Sequence, residues 1–205
     1  MIVIVDYGMG NLGSIRNMFR HLGQDAVISR ERTVIESAAK LVLPGVGSFD
    51  AGMRNLHQLG LVELLNDVVI RQRTPILGIC LGLQLLGRRS EEGTSPGLGW
   101  IDADTVRFHF SEAAREKRIP HMGWSPIARK DGVRLFQGLP AEPRFYFVHS
   151  YHLKCDNDAD VIAWATYGYP FVAGVQKGNV LGVQFHPEKS HTFGLRLLRS
   201  YAQDV

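Results

Sequence analysis

Residues 2–6 form a short, β-branched apolar run that stops at Tyr7-Gly8, the pattern of a strand buried on both faces. Over residues 11–21 the period changes. Leu12, Ile15, Phe19 and Leu22 fall on one stripe and Gly23 supplies a stop, so the spacing predicts an amphipathic helix. Residues 26–29 and 40–43 repeat the short apolar run, the second broken by Pro44-Gly45. A helix is expected over 56–71, another buried strand over 75–79, and the opening of a helix over 81–86. Strands that alternate with helices imply an α/β fold, a parallel sheet with helices on both faces.

The carboxy-terminal half changes character. Segments 106–110, 144–149, 161–166, 172–176 and 180–185 read as strands separated by Gly, Pro and Asp-Asn turns. That pattern predicts a mixed sheet with an antiparallel portion, and residues 191–201 are expected to close the chain as a helix. No internal repeat, low-complexity tract or linker interrupts residues 1–205, so one domain is expected.

Composition narrows the picture without changing it. A chain of 205 residues can bury roughly 70% of its unfolded surface and needs neither disulfides nor a structural metal. Apolar residues make up 45% and charged residues 21%, as in an ordinary globular protein. The net charge of +3 is spread along the chain. The nearest basic cluster, Arg115-Glu116-Lys117-Arg118, contains an acid and lacks interleaved aromatics, so it reads as a solvated surface and not as a nucleic-acid site. The amino terminus has no basic region ahead of its apolar run, and no apolar stretch nears the ~20 residues that span a bilayer. A soluble, cytoplasmic protein is expected, with no membrane contact. The two cysteines, Cys80 and Cys155, form no scaffold pattern, which suits a reducing compartment.

Cys80 lies in Gly78-Ile79-Cys80-Leu81-Gly82, between a predicted strand and a predicted helix. This is the arrangement of a nucleophile elbow, whose sharp turn requires small residues two positions either side. The helix start also favours a thiolate. Taken alone, Cys80 is equally well a small core hydrophobe. The apolar segment ending Gln184-Phe185-His186-Pro187-Glu188 changes that balance. His186 could take the thiol proton while Glu188, two residues on in an extended segment, holds the ring. Pro44-Gly45-Val46-Gly47 is either an ordinary turn or a loop whose N–H groups, with that of Leu81, stabilise an oxyanion.

Other signals are weaker. Gly8-x-Gly10-x-x-Gly13 follows a strand and enters a helix, as in dinucleotide-binding turns, with Glu31 roughly 20 residues on. Asn11 as a helix cap explains that turn without a ligand. Cys155 has no His at useful spacing and reads as structural. His149 and His152 have too few neighbours for a metal site, so neither metal nor cofactor is expected.

In their order and spacing, the Cys80 elbow, the His186–Glu188 pair and the Gly45–Gly47 loop resemble the class I, or triad, glutamine amidotransferases. Asp6-Tyr7-Gly8-Met9-Gly10-Asn11, Pro120-His121-Met122-Gly123-Trp124 and Tyr146-Phe147-Val148-His149-Ser150-Tyr151 extend the likeness to nearly the whole chain. They point to members that act as the glutaminase subunit of a heterodimer. Ser125 departs from the pattern, which usually has Asn there. The resemblance implies a flavodoxin-like fold with Cys80, His186 and Glu188 as catalytic triad. It implies backbone oxyanion donors at Val46, Gly47 and Leu81. Glutamine would be held by Gln84 and Glu92, one turn and three turns past the nucleophile, with Ser150 and Tyr151 on its other side. The implied partner is a (β/α)8-barrel cyclase that receives ammonia, with Lys189, His121, Met122 and Trp124 toward it; by its neighbours alone, His121 reads as a packed or an interface residue. A cysteine hydrolase of another type, a glutaminase of another pathway, and a nucleotide-binding module are the competing readings.

Overall fold

The computed structural model describes residues 1–112 and 117–205, so Arg115 and Glu116 of the basic cluster lie outside the described residues. Five parallel strands form the centre, in the order β2 (Ala26–Ser29), β1 (Ile2–Val5), β3 (Lys40–Gly45), β4 (Ile76–Cys80) and β12 (Val180–Val183). The 2-1-3-4 order is that of flavodoxin-like sheets, as expected. The same sheet continues antiparallel through β11 (Tyr169–Lys177), β10 (Val161–Tyr167), β7 (His121–Arg129) and β8 (Arg144–His149). A smaller sheet joins β5 (Arg89–Ser90), β6 (Ala103–Arg107) and β9 (Tyr151–Cys155).

Two cores flank the main sheet because successive side chains of a strand point to opposite faces. In β1, Ile2 and Ile4 join a core with Ile15 and Phe19 of α1 (Leu12–His21) and Leu197, Leu198 and Tyr201 of α6 (His191–Gln203). Val3 and Val5 join the other core, with Phe49, Met53 and Leu56 of α3 (Phe49–Gln58), Leu61 and Leu64 of α4 (Leu61–Leu65), and Leu83 and Leu85 of α5 (Leu81–Leu85). The short α2 (Arg32–Glu36) contributes Ile35 to this second core. No helix of the described residues is long and apolar enough to cross a membrane.

Several expected elements are displaced. The helix expected over 56–71 is three pieces: α3 ends at Gln58, Gly60 takes φ 64°, and α4 runs into a π-helical Asn66–Arg71. A continuous apolar stripe hid the break, because Gly60 interrupts the backbone and not the stripe. The strand expected over 106–110 sits at Ala103–Arg107. Strands β7 and β9 were not expected: Gly123 and Pro126 mask the first, and only Ser150 separates the second from β8. The strand expected to break at Pro44 continues to Gly45. Pairing of β3 with β1 stops at Val42 while pairing with β4 continues, so Pro44 has a free edge where its missing N–H is harmless.

The glycine-rich turn before α1 also reads differently. Asn11 makes no side-chain bond to the helix backbone, and its Oδ1 accepts from Ser14 Oγ at 2.9 Å. A Cβ at Gly13 would meet nothing within 4 Å, so the close helix–strand approach that demands the third glycine of a dinucleotide turn is absent.

Candidate active site

Three adjacent parallel strands, β3, β4 and β12, deliver their carboxyl ends to one place. Gly45 pairs with Cys80 and Ile79 with Val183, so the Gly45–Gly47 loop, Cys80 and the segment leading to His186 emerge side by side. The carboxyl edge of an open parallel sheet is where such folds bind ligands. Cys80 takes φ 55° and ψ −109°, a conformation that non-glycine residues rarely adopt and that marks a strained turn. Its two glycines are required by contact. A Cβ at Gly78 would lie 2.8 Å from the Gly82 carbonyl oxygen, and one at Gly82 would run into the carbonyl oxygen of Leu43. Gly82→Ala is therefore expected to lower stability by at least about 2 kcal/mol, an overpacking cost. Gly13→Ala, in open space within α1, should raise it by about 0.5–1 kcal/mol. Urea denaturation of both variants checks this; equal effects would remove the steric reading of the elbow.

His186 and Glu188 form a buried pair, with side chains 1% and 2% exposed and Nδ1 2.7 Å from Oε1. Their spacing arises from a turn and not, as expected, from an extended segment: Pro187–Lys189 is one 3-10 turn, with His186 as its extended cap. The His186 N–H donates to the Tyr146 carbonyl at 2.9 Å, and Ser190 Oγ donates to the His186 carbonyl at 2.6 Å, which fixes the backbone. Among the described residues His186 Nε2 has no hydrogen-bond partner, so this nitrogen is the one available to a thiol. Burial opposes the charged ring, but Cys80 and the Glu188 carboxylate outweigh it and hold the imidazole pKa above its ordinary value. A ring so placed can keep the proton that a thiol gives up. Cys155 is set apart: burial, helped by Asp160, Asp156 and Asp158, pushes its thiol up to about 12.

Cys80 and His186 line a cavity of about 320 Å³, at the low end of small-molecule sites. Val46, Gly47 and Leu81 line it as well, and so do Gln84, Glu92, Ser150 and Tyr151. Gly47 has φ 118°, and a Cβ at Gly45 would strike the buried Tyr7 hydroxyl, so the peptides around Val46 depend on both glycines. Glu92 arrives by a different route from the one expected. Helix α5 stops at Leu85, and Glu92 comes in on a loop whose carboxylate Oε2 accepts from the Phe49 N–H at 2.8 Å, at the start of α3. Asp50 of α3 answers by accepting from the N–H groups of Thr94 and Ser95. Sequence reasoning passed over Gln184, which is fully buried and donates from Nε2 to Cys80 Sγ at 3.8 Å. Its place two residues before His186 was a signal left unread.

The residues expected to face a partner divide. Along β7 alternate side chains point outward, leaving Met122 62% and Trp124 38% exposed. Trp124 stacks on His191 at 5.5 Å, and the exposed Lys189 places Nζ 5.7 Å over the Tyr146 ring. Of the two readings of His121, packed or interface, its burial favours the packed one. It is 2% exposed and points inward, as the strand's alternation requires.

A family model described as glutamine amidotransferase class-I matches residues 3–201. The chain is 47% identical over 205 residues to imidazole glycerol phosphate synthase subunit HisH 2 of Pseudomonas aeruginosa, covering 100% of both chains. It is 49% identical, again over 100% of both, to the protein of the same name from Methanococcus maripaludis. A crystal structure of a glutamine amidotransferase superposes with a TM-score of 0.73 at 20% identity, covering 98% of this chain and 97% of that one. The structure of PurLQS from Thermotoga maritima does so with 0.71 at 18%, covering 97% and 95%. These two likenesses speak for the fold, while the full-length identity and the family model speak for descent. With its elbow, its buried His–Glu pair and its loop converging at one sheet edge, the chain belongs to the class-I glutamine amidotransferase family.

Proposed function

We propose that the chain is the glutaminase subunit of an imidazole glycerol phosphate synthase, acting in histidine biosynthesis. The observation that carries the reading is the meeting of Cys80, Val46, Gly47 and His186, the last held by Glu188, on one cavity, in a chain that matches such subunits end to end. The Cys80 sulfur attacks the side-chain amide carbon of glutamine, and the developing oxyanion takes N–H bonds from Leu81 and from the peptides at Val46 and Gly47. His186 holds the thiol proton and passes it to the leaving amine, so ammonia departs and a glutamyl thioester remains on Cys80. Water, losing a proton to His186, then attacks the thioester and releases glutamate and the thiol. Glu188 fixes the ring through Nδ1 and offsets its charge throughout. Glu92 offers a carboxylate to the substrate's ammonium group, and Gln84, Ser150 and Tyr151 complete the cradle.

The ammonia would pass to a (β/α)8-barrel cyclase subunit, which would use it to form imidazole glycerol phosphate and aminoimidazole carboxamide ribotide. Met122 and Trp124 on β7 and Val46 at the cavity are exposed apolar residues that a docked partner would cover, and the exposed Lys189 would meet it with charge. Val46 is 44% exposed between two glycines, so it lies within reach of a docked partner. Docking and ligand in the cyclase are therefore expected to select the peptide orientation that donates N–H. The isolated chain should be nearly idle, and partner plus a substrate analogue should raise ammonia release by about 10²–10³-fold, the worth of one oxyanion donor. An isolated chain that already runs at the full rate of the complex would rule out the switch.

A further inference from the structure

An unbroken line of hydrogen bonds runs from strand β7 to the sulfur of Cys80. Ser125 Oγ lies 2.9 Å from His121 Nε2, and His121 Nδ1 lies 3.0 Å from His149 Nε2. The two rings meet because His121 and His149 are direct cross-strand partners of β7 and β8. His149 Nδ1 lies 2.8 Å from the Tyr151 carbonyl oxygen. That oxygen also accepts from Gln84 Nε2 at 3.0 Å, and the same Nε2 donates to Gln184 Oε1 at 3.2 Å. Gln184 Nε2 completes the line to Cys80 Sγ. His121, His149, Gln84 and Gln184 are all at most 5% exposed.

Elementary donor and acceptor chemistry sets the direction of each bond. A carbonyl only accepts, so His149 carries its proton on Nδ1 and offers Nε2. His121 must then donate from Nδ1 and accept at Nε2, where the Ser125 hydroxyl donates. From the other side, the Gln84 N–H groups go to Tyr151 and Gln184, which leaves its Oε1 as the acceptor for a ligand. Gln184, accepting at Oε1, turns its Nε2 toward the sulfur. These directions hold with both rings neutral, and their burial favours that state. Burial lowers His149 to about 3, and burial with the charge of Lys117 lowers His121 to about 4. A buried network of this kind is favourable only while every member is satisfied, so it transmits a fixed geometry along its length.

We propose that His121, His149 and Gln184 are positioning residues of the glutaminase reaction. Their line presents Gln84 Oε1 to the substrate amide and holds the Cys80 sulfur with an N–H from Gln184, its outer end pinned by Ser125 on the strand that exposes Met122 and Trp124. This rests on the glutaminase reading for its consequence and not for its geometry. Gln184 and His121 lie outside the cavity lining, so they act through Gln84, Tyr151 and Cys80.

The test has two arms that fail independently of the reading. Two-bond ¹H–¹⁵N correlation on the isolated, ¹⁵N-histidine-labelled chain should find both His121 and His149 neutral at pH 7 and protonated on Nδ1. Either ring on its Nε2–H tautomer, or charged, overturns the line even if glutamine turnover is normal. In the second arm, Gln184→Met fills the same space without an N–H or an acceptor, and Gln184→Glu keeps the acceptor for Gln84. Both should slow alkylation of Cys80 by iodoacetamide at fixed pH by roughly fivefold, the worth of one lost hydrogen bond. In the complex with the cyclase, Gln184→Glu should lower kcat at least tenfold with KM nearly unchanged, while Gln184→Met should also raise KM. Wild-type alkylation by both variants removes Gln184 from the line. Expected tautomers and alkylation in the wild-type chain, with no glutaminase activity in its complex with the cyclase, would fault the functional reading alone.

Discussion

Replacing Cys80 by Ala is expected to abolish glutamine hydrolysis while the chain stays folded. The expected loss is about 10⁵–10⁶-fold, because nucleophile, base and orienting carboxylate act as one unit and removal of the first leaves the others nothing to activate. Folding should survive, since among the described residues the hydrogen bonds of the sulfur are two long ones, 3.8 Å to Gln184 Nε2 and 4.0 Å to the Val148 carbonyl. Alanine suffers no more than cysteine from the positive φ at this turn. In complex with the cyclase, the variant should still make product when ammonia is supplied in solution, because the cavity that releases ammonia is bypassed. Ammonia release from glutamine, followed by coupled glutamate dehydrogenase, reads the first effect, and cyclase product formation reads the second. Substantial glutamine-dependent turnover in Cys80→Ala would overturn the assignment of the nucleophile.

Glu188→Gln separates orientation from nucleophilicity. The amide occupies the same space beside His186 but carries no charge, and with both side chains almost fully buried no water replaces it. The ring loses the partner that offsets its cation and selects its tautomer. Turnover should fall by about 10³–10⁴-fold, as when the carboxylate of a related triad becomes an amide. Far-ultraviolet circular dichroism should be unchanged, and Glu188→Asp, which keeps the charge but shortens the reach, should be milder. Near-normal turnover in Glu188→Gln would demote Glu188 to a buried structural carboxylate.

The parts of the site that could be read in the sequence are those whose residue types are dictated by local geometry. Gly78 and Gly82 are forced by backbone contacts, and the continuous apolar runs of β3, β4 and β12 need no neighbour to be recognised. What brings these elements together is the strand order, and that entered through the family resemblance. Features set by tertiary pairing were illegible. Glu92 was placed on a continuing helix, whereas its position is fixed by the clasp between its loop and the first turn of α3. Beside Met122 and Trp124, His121 could be packed or at an interface, and only the alternation of the unexpected strand β7 turns it inward. Gln184 is one polar residue in an apolar run, and only the partners on β4 and α5 give it meaning.

The central claim is that Cys80, and not Cys155, is the nucleophile that glutamine meets. It is tested most directly by treating the complex with 6-diazo-5-oxonorleucine, a glutamine-like electrophile, and mapping the adduct by peptide mass spectrometry. The account predicts one adduct, on Cys80, suppressed by excess glutamine, with Cys155 unmodified because burial and its three aspartates hold that thiol protonated. An adduct on Cys155, or labelling of Cys80 that glutamine does not slow, would contradict it.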